Sequence, residues 1–423
     1  MTRNFLSAFE SYRGLPRAVY FLFIVRIISA MGNFVYPFLT LFLTAKIGLT
    51  PKEAGTFFMV VSVTQAIGMF GGGKLCDHMG RKKLLIFFMA SVGILMGSCV
   101  ISGNTIITAY IIVFSGFFMG AQFAVSTAVI TDITNPENRK NSFALLYLGV
   151  NIGFMIGPTF AGLLYRSHSN LIFLGNAVSS LIAIIIIWKF IPDTTPTIED
   201  MNSENLSKEE AHEEGTFIDA MLKRPVLMLF LLGRLAFTFC YASISFIIPL
   251  QMVKLFGDNQ GPALYGILMS VTGFVVITFT LPAIKLTEKM KPLTSIGLAG
   301  LLYAIGYGLL GRVSLFSLIL LAGFIFTLGE VIEATNSGVY VANRSPINQR
   351  GRFNAVSQIT SNLGFAIAPG VYGFLIEYQG LSFTWNVCMW LSIGAAVYML
   401  GLSYFEDSIN SKSRFDKIKL DTL

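Results

Sequence analysis

Four ionisable side chains stand inside apolar runs of this chain. Arg26 lies in "AVYFLFIVRIISAMG", Arg234 in "VLMLFLLGRLAFTFC", and Glu330 and Glu333 in "FIFTLGEVIEATNSG". The two carboxylates are three positions apart, so on a helix they share a face. Charge in a hydrocarbon layer is costly and is usually functional. A carboxyl group withdrawn from water keeps its proton more readily. Glu330 is therefore the candidate proton carrier, and Glu333 its relay partner or a contact for a cationic substrate. A structural ion pair with Arg234 or Arg26 is the other reading of the same residues. Asp132 ends a further apolar run and is soon followed by "NPENRK". It is a candidate for gating or proton transfer, expected to pair with Arg139 or to cap the loop.

The elements that position these groups follow from composition. Of 423 residues, 54% are apolar and 13% charged, and 38 are Phe. A soluble domain carries about 25% charged residues, so most of this surface meets lipid. Runs such as "LIFLGNAVSSLIAIIIIWKF" have the roughly 20 residues a helix needs to cross a bilayer. They lack the period-two alternation of a barrel strand. Twelve spans are expected, near 17–43, 54–73, 83–102, 105–131, 143–165, 170–190, 225–250, 262–284, 293–311, 314–341, 353–376 and 381–404. The polar, basic start leads into the first span with no small-residue cleavage site, so no cleaved signal peptide is expected. Cys76, Cys99, Cys240 and Cys388 are scattered and receive no role.

An even number of spans puts both termini on one side. If that side is the cytoplasm, inner segments carry 23 Lys and Arg and outer loops 5, the last two of the 30 being Arg26 and Arg234. Basic residues concentrate on the cytoplasmic face, so both termini are expected there, in a cell (inner) membrane. The net charge of +7 reflects this bias and not nucleic-acid binding.

The chain repeats itself. At an offset of 211, Gly55 meets Gly266, Lys74-Leu75 meets Lys285-Leu286, Asp77 meets Glu288, and "NIGFMIGPTFAG" from Asn151 meets "NLGFAIAPGVYG" from Asn362. Arg26 meets Arg234 at 208 and Pro37 meets Pro249 at 212. Two parallel copies of a six-helix unit are expected: residues 1–191 and 221–423, the latter with a tail. They are joined by an acidic linker at 192–220. Such copies are related by an axis along the membrane normal, with the substrate site between them.

One turn concentrates charge: "GGGKLCDHMGRKK", residues 71–83. Its Gly73, Leu75, Asp77, Gly80, Arg81 and Lys82 match the signature loop of the major facilitator superfamily, which the whole chain resembles. "GFMIGPTFAG" is similar to the glycine-proline motif of that superfamily's drug–proton antiporters, departing at Ala161. "TLGEVIEATNSGVYVANRSP" resembles a subgroup of bacterial multidrug exporters, in which the corresponding Glu is a proposed coupling residue. The fourth span lacks the embedded arginine of many drug antiporters. The resemblance implies an all-α fold of twelve membrane helices in two pseudo-symmetric bundles. It also implies a cytoplasmic latch in which Asp77 meets the start of the eleventh span near Gly351 to Phe353. From the residues alone, Asp77 and Arg81 are four apart and can bridge on a helical turn, and Gly71 to Gly73 let backbones approach.

Gly149, Gly153 and Gly157 recur every four residues and share a helix face suited to close packing, with Pro158 expected to bend the helix. Asn33, Gln65, Gln122, Asn151, Gln251, Gln358 and Asn362, with Arg26 and Arg234, are candidates to line a substrate cavity. Aromatic residues including Phe34, Tyr36, Phe237, Tyr241 and Phe246 are candidates to stack on a flat ligand. No Walker A sequence occurs, and no cofactor, metal site or catalytic constellation is indicated. The expected activity is proton-coupled export of amphipathic, drug-like molecules by a monomer, with substrate, protons and lipid as its partners. The alternative is transport of one small metabolite, such as a sugar, peptide or organic anion.

Overall fold

Apolar segments in lipid must satisfy their own backbone hydrogen bonds, and the described apolar segments do so as helices. A computed structural model describes residues 12–76, 79–167, 169–193, 221, 224–344 and 350–421. Among these there is no strand. The helices are α1 (Arg17–Gly32), α2 (Val35–Leu41, continued by a π-helical turn over Phe42–Lys46), α3 (Pro51–Cys76), α4 (Arg81–Ser102), α5 (Ile106–Asp132), α6 (Pro136–Ser167) and α7 (Leu171–Phe190). They continue with α8 (Pro225–Tyr241), α9 (Ser243–Thr287), α10 (Pro292–Leu310), α11 (Phe316–Arg344), α12 (Arg350–Gln379) and α13 (Leu381–Asp421). Proline opens α8 and α10, where its missing N–H costs nothing.

Eleven stretches are long and apolar enough to cross a membrane, and one of them, Pro225–Thr287, has 63 residues. Within it Gly257 leaves the helix at φ 74°, ψ 170°, a conformation that glycine adopts without penalty. Divided there, the stretch supplies two crossings, and twelve spans fit. The first and seventh spans are each interrupted, at Asn33–Phe34 and at Ala242. Across these interruptions the repeat offset moves from 208 to 212. Pro158 and Pro369 lie inside helices that continue past them.

The chain forms two compact units. Unit 1 comprises Met1–Asn202, Ile244–Ile277 and Pro369–Glu377; unit 2 comprises Ser203–Ser243, Thr278–Ala368 and Tyr378–Leu423. In unit 1, α3 packs along α5, α1 against α6 and α7, and α4 against α5 and α7. In unit 2, α10 packs against α11 and α13, and α8 against α13.

Glycine sets several of these contacts. Added Cβ atoms would strike Phe23 from Gly149, Ile27 O and Ala30 from Gly153, and Met31 O from Gly157, so the expected small-residue face of α6 lies on α1. The second copy repeats the arrangement, Gly364 of α12 meeting Leu235 O and Thr238 of α8. These are the residues that an offset of 208 assigns to Ile27 and Ala30. Of the three glycines ending α3, only Gly72 meets a neighbouring backbone, at Ala121. Gly73 faces open space, which corrects the expectation that it permits a close approach.

Within unit 1 the two copies also meet reciprocally. Gly55 abuts Pro369 O while Gly266 abuts Pro158 O, and Gly373 abuts Pro51 O while Gly162 abuts Pro262 O. Each residue of one pair is the other pair's counterpart at an offset of 211. Thr159 Oγ1 and Ser270 Oγ, 2.6 Å apart, add a hydrogen bond at this junction.

Candidate functional site

Unit 2 brings three of the four intramembrane charges together. Arg234 on α8 donates from Nε to Glu333 Oε1 on α11 at 2.9 Å. Its Nη1 donates to Ser357 Oγ on α12 at 2.8 Å. Ser337 Oγ, one turn beyond Glu333, donates to the same Oε1 at 2.7 Å. Glu333 is buried, at 6% exposure. A buried ion pair is tolerated when hydrogen bonds complete its shell, and the two serines do that here. Glu333 is thus held by a cation. Of the sequence readings this is the structural ion pair with Arg234, and it leaves the other carboxylate as the one without a countercharge.

Glu330 stands one turn earlier, hydrogen-bonded to Tyr241 and near Glu333. Among the described residues it forms no ion pair. Beside it are Tyr303 and Tyr307 of α10, whose rings stack at 5.6 Å and 14°. Phe237, Phe326 and Trp385 extend the stack. Phe237 and Phe246 are buried against other rings, so they act in packing; the expected ligand-stacking role does not fit them. Tyr241 was singled out as an aromatic; its hydroxyl is what reaches Glu330.

Arg26 is the fourth charge, alone in unit 1. Its Nη2 donates to Ser126 Oγ on α5 at 3.1 Å, and among the described residues no carboxylate pairs with it. The interruption of α1 follows on the same helix. Asn33 N donates to Ala30 O at 3.3 Å, and Asn33 Oδ1 is buried with no hydrogen-bond partner. Tyr36 Oη lies near Gln65 and Ser115 without a hydrogen bond of good geometry.

The remaining candidates are dispersed. Gln122 is half-buried on α5, and Asn151 Nδ2 donates to Tyr147 O on its own helix at 2.9 Å. Gln251 is buried on α9, while Gln358 and Asn362 are exposed along α12. Ser126, Ser337 and Ser357 escaped the sequence reading. The first two are counterparts at 211, and that correspondence is the signal that would have found them.

At the end of α5 Asp132 forms an ion pair with Arg81, the first residue of α4. The expected partner, Arg139, instead donates from Nη2 to Thr131 O and Thr134 O at 3.4 and 3.3 Å. Carbonyls at a helix C-terminus attract a cation in this way. Gly80 precedes α4 as its N-cap residue, and Lys82 Nζ donates to Trp188 O near the end of α7 at 2.8 Å. Asp77, the centre of the expected latch, lies outside the described residues. No group of three His, Cys, Asp or Glu among the described residues is placed to hold a metal ion.

Comparison with known proteins agrees with this architecture. The uncharacterized MFS-type transporter YqjV of Bacillus subtilis is 25% identical over 371 residues, covering 87% of each chain. The Na(+), Li(+), K(+)/H(+) antiporter of Planococcus maritimus is 21% identical over 363 residues, 79% of this chain and 84% of that protein. The class H tetracycline resistance protein of Pasteurella multocida is 25% identical over 342 residues, 79% of this chain and 81% of its own. The sequence profile of the Major Facilitator Superfamily matches residues 22–310 and again 252–420. With that coverage, the duplicated helical unit and the paired intramembrane charges, the chain belongs to the Major Facilitator Superfamily and is a secondary transporter of its membrane.

Proposed function

We propose that this transporter exports amphipathic, drug-like compounds in exchange for protons, as a monomer in the cell (inner) membrane with both termini cytoplasmic. One observation carries the reading: among the described residues Glu330 is a carboxyl group without a cation, next to a Glu333 already neutralised by Arg234. A carboxyl so placed can take a proton without breaking a structural pair, and release it when its surroundings change. Relatives named as a cation/proton antiporter and a tetracycline resistance protein are consistent with exchange of this kind.

Alternating access supplies the mechanism, with 1–191 and 221–423 as its moving halves. The reciprocal glycine–carbonyl contacts of Gly55, Gly162, Gly266 and Gly373 fall at the outer ends of their spans in this orientation. They form a seal that must open on each cycle. The Arg81–Asp132 pair and the Lys82–Trp188 bond fall at the cytoplasmic ends and order the turn where the latch around Asp77 operates. A second reading, transport of one small metabolite, is favoured by a single observation: among the described residues no carboxylate pairs with Arg26.

Everted vesicles with an imposed pH gradient test the proposal. Wild-type protein accumulates a fluorescent amphipathic dye against its gradient. Glu330→Gln is expected to lose gradient-driven accumulation while keeping dye exchange at equilibrium. Undiminished uphill transport by Glu330→Gln would remove the basis of the reading.

A further inference from the structure

The two copies of the repeat treat the same arginine differently. Arg234 has Glu333 and Ser337 on the facing helix, joined through Glu333 Oε1. At an offset of 211 the first copy places Gln122 where Glu333 stands and Ser126 where Ser337 stands. The serine contact to Arg26 survives, at 3.1 Å, but the carboxylate has become a neutral amide. No Asp or Glu occurs from Arg17 to Lys52, from Glu53 to Cys76 beyond Glu53 itself, or from Arg81 to Thr131. A cation in the membrane without a countercharge is expensive, so a chain that keeps one has a use for it.

The surroundings of Arg26 carry a second sign. Ser29 follows it at three residues, on the same face of α1, and Asn33 follows at seven, as the residue that caps the helix C-terminus. Ser29 Oγ and Asn33 Oδ1 are both buried with no hydrogen-bond partner. Leaving such groups unmade costs about 1–3 kcal/mol each, unless a ligand completes them. The guanidinium has five N–H donors, and here one nitrogen is engaged. Nε of Arg81 and of Arg139 is sealed and unpartnered, but no Arg26 nitrogen is in that condition. Its unused donors are therefore not completely sealed by protein.

We infer that Arg26 anchors an anionic group of the transported molecule, most simply a carboxylate, with Ser29 and Asn33 receiving a hydroxyl or amine of the same molecule. A guanidinium fork matches a carboxylate bidentately, and Asn33 Oδ1 lies about two helical turns away. The substrate class is therefore amphipathic organic acids bearing a second polar group. This refines the substrate of the proposed exporter and rests on that reading. Its test uses binding without a proton gradient, so the two can fail separately.

Full-length purified protein is melted in detergent with aromatic carboxylates of one to three rings, each beside its matched amide and ammonium compound, and with sodium chloride alone. At least one carboxylate is expected to raise the melting temperature saturably, with an affinity about tenfold or more above its amide and ammonium partners. Arg26→Gln should lose that preference and Arg26→Lys keep part of it. Gln122→Glu gives Arg26 an internal partner as in the second copy. It should weaken carboxylate binding by about tenfold while raising the melting temperature of the ligand-free protein, a result that no misfolded variant can mimic. The inference is overturned if no carboxylate gives a saturable shift, or if ammonium compounds bind equally. It is also overturned if both Arg26→Gln and Gln122→Glu bind like wild type, or if chloride matches the carboxylates, which would leave an inorganic-anion site only.

Discussion

Arg26 and Arg234 descend from one position of a duplicated unit, yet they sit in opposite electrostatic situations. Arg234 is tied to Glu333 and Ser357, and its carboxylate is completed by Ser337. Arg26 has one serine and no acid. An internally neutralised pair ties three helices together and offers a ligand little net charge. Arg26 has only that one serine bond to tie it to a neighbouring helix. The same residue type is thus internally paired in one copy and left for the proposed cargo in the other, and the difference is a single replacement, carboxylate for amide, on the facing helix.

The largest effect expected from this contrast comes from Glu333→Gln. It strands Arg234 in a low-dielectric interior, where removing one partner of a buried pair costs about 3–5 kcal/mol. Melting in detergent should show a drop of that order. The double variant Glu333→Gln with Arg234→Gln should recover most of it, because no charge is then left alone. Arg26→Gln, by contrast, should leave melting of the ligand-free protein unchanged or raise it. Equal losses for Glu333→Gln and Arg26→Gln would erase the distinction between the two sites.

A smaller effect separates the serines. Ser357 accepts from a guanidinium already paired with Glu333, and Ser357→Ala should cost about 1.5–3 kcal/mol, the range for hydrogen bonds to charged groups. Ser126→Ala removes a longer bond, 3.1 Å, from a guanidinium with access to other partners, and should cost about 0.5–1.5 kcal/mol. Thermal melts of the two variants side by side read the difference. A larger loss at Ser126 would mean that Arg26 is the structurally committed residue.

Much of this was legible beforehand. Apolar runs, the basic inner loops and the offset of 211 carried the helical class and the duplication, since a bilayer leaves the backbone few choices. The four intramembrane charges stood out for the same reason. Their partners did not. Near-uniformly apolar spans show no preferred face, so helix rotation, and with it the choice of Arg234 for Glu333 or Arg81 for Asp132, is set by packing. Gly72 and Gly73 illustrate the limit: adjacent and identical in type, one is pressed on Ala121 and the other touches nothing. The interruptions at Asn33 and Ala242 account for the shifting offset, and they were visible only as a mismatch in register.

The smallest predicted effect supplies the control for the whole contrast. Lys291 and Asp407 also form an ion pair within unit 2, but their side chains are 62% and 47% exposed. Charges that remain hydrated gain little by meeting, and such pairs contribute about 0–1 kcal/mol. Asp407→Asn should therefore shift melting by less than any variant at Glu333, and the shift should shrink further as salt rises and screens the pair. Both pairs are in direct contact, and burial is the largest difference between them. If Asp407→Asn destabilised the protein as much as Glu333→Gln, withdrawal from water would not be what gives the buried pair its weight. The cost assigned to an unpaired Arg26 would then lose its foundation as well.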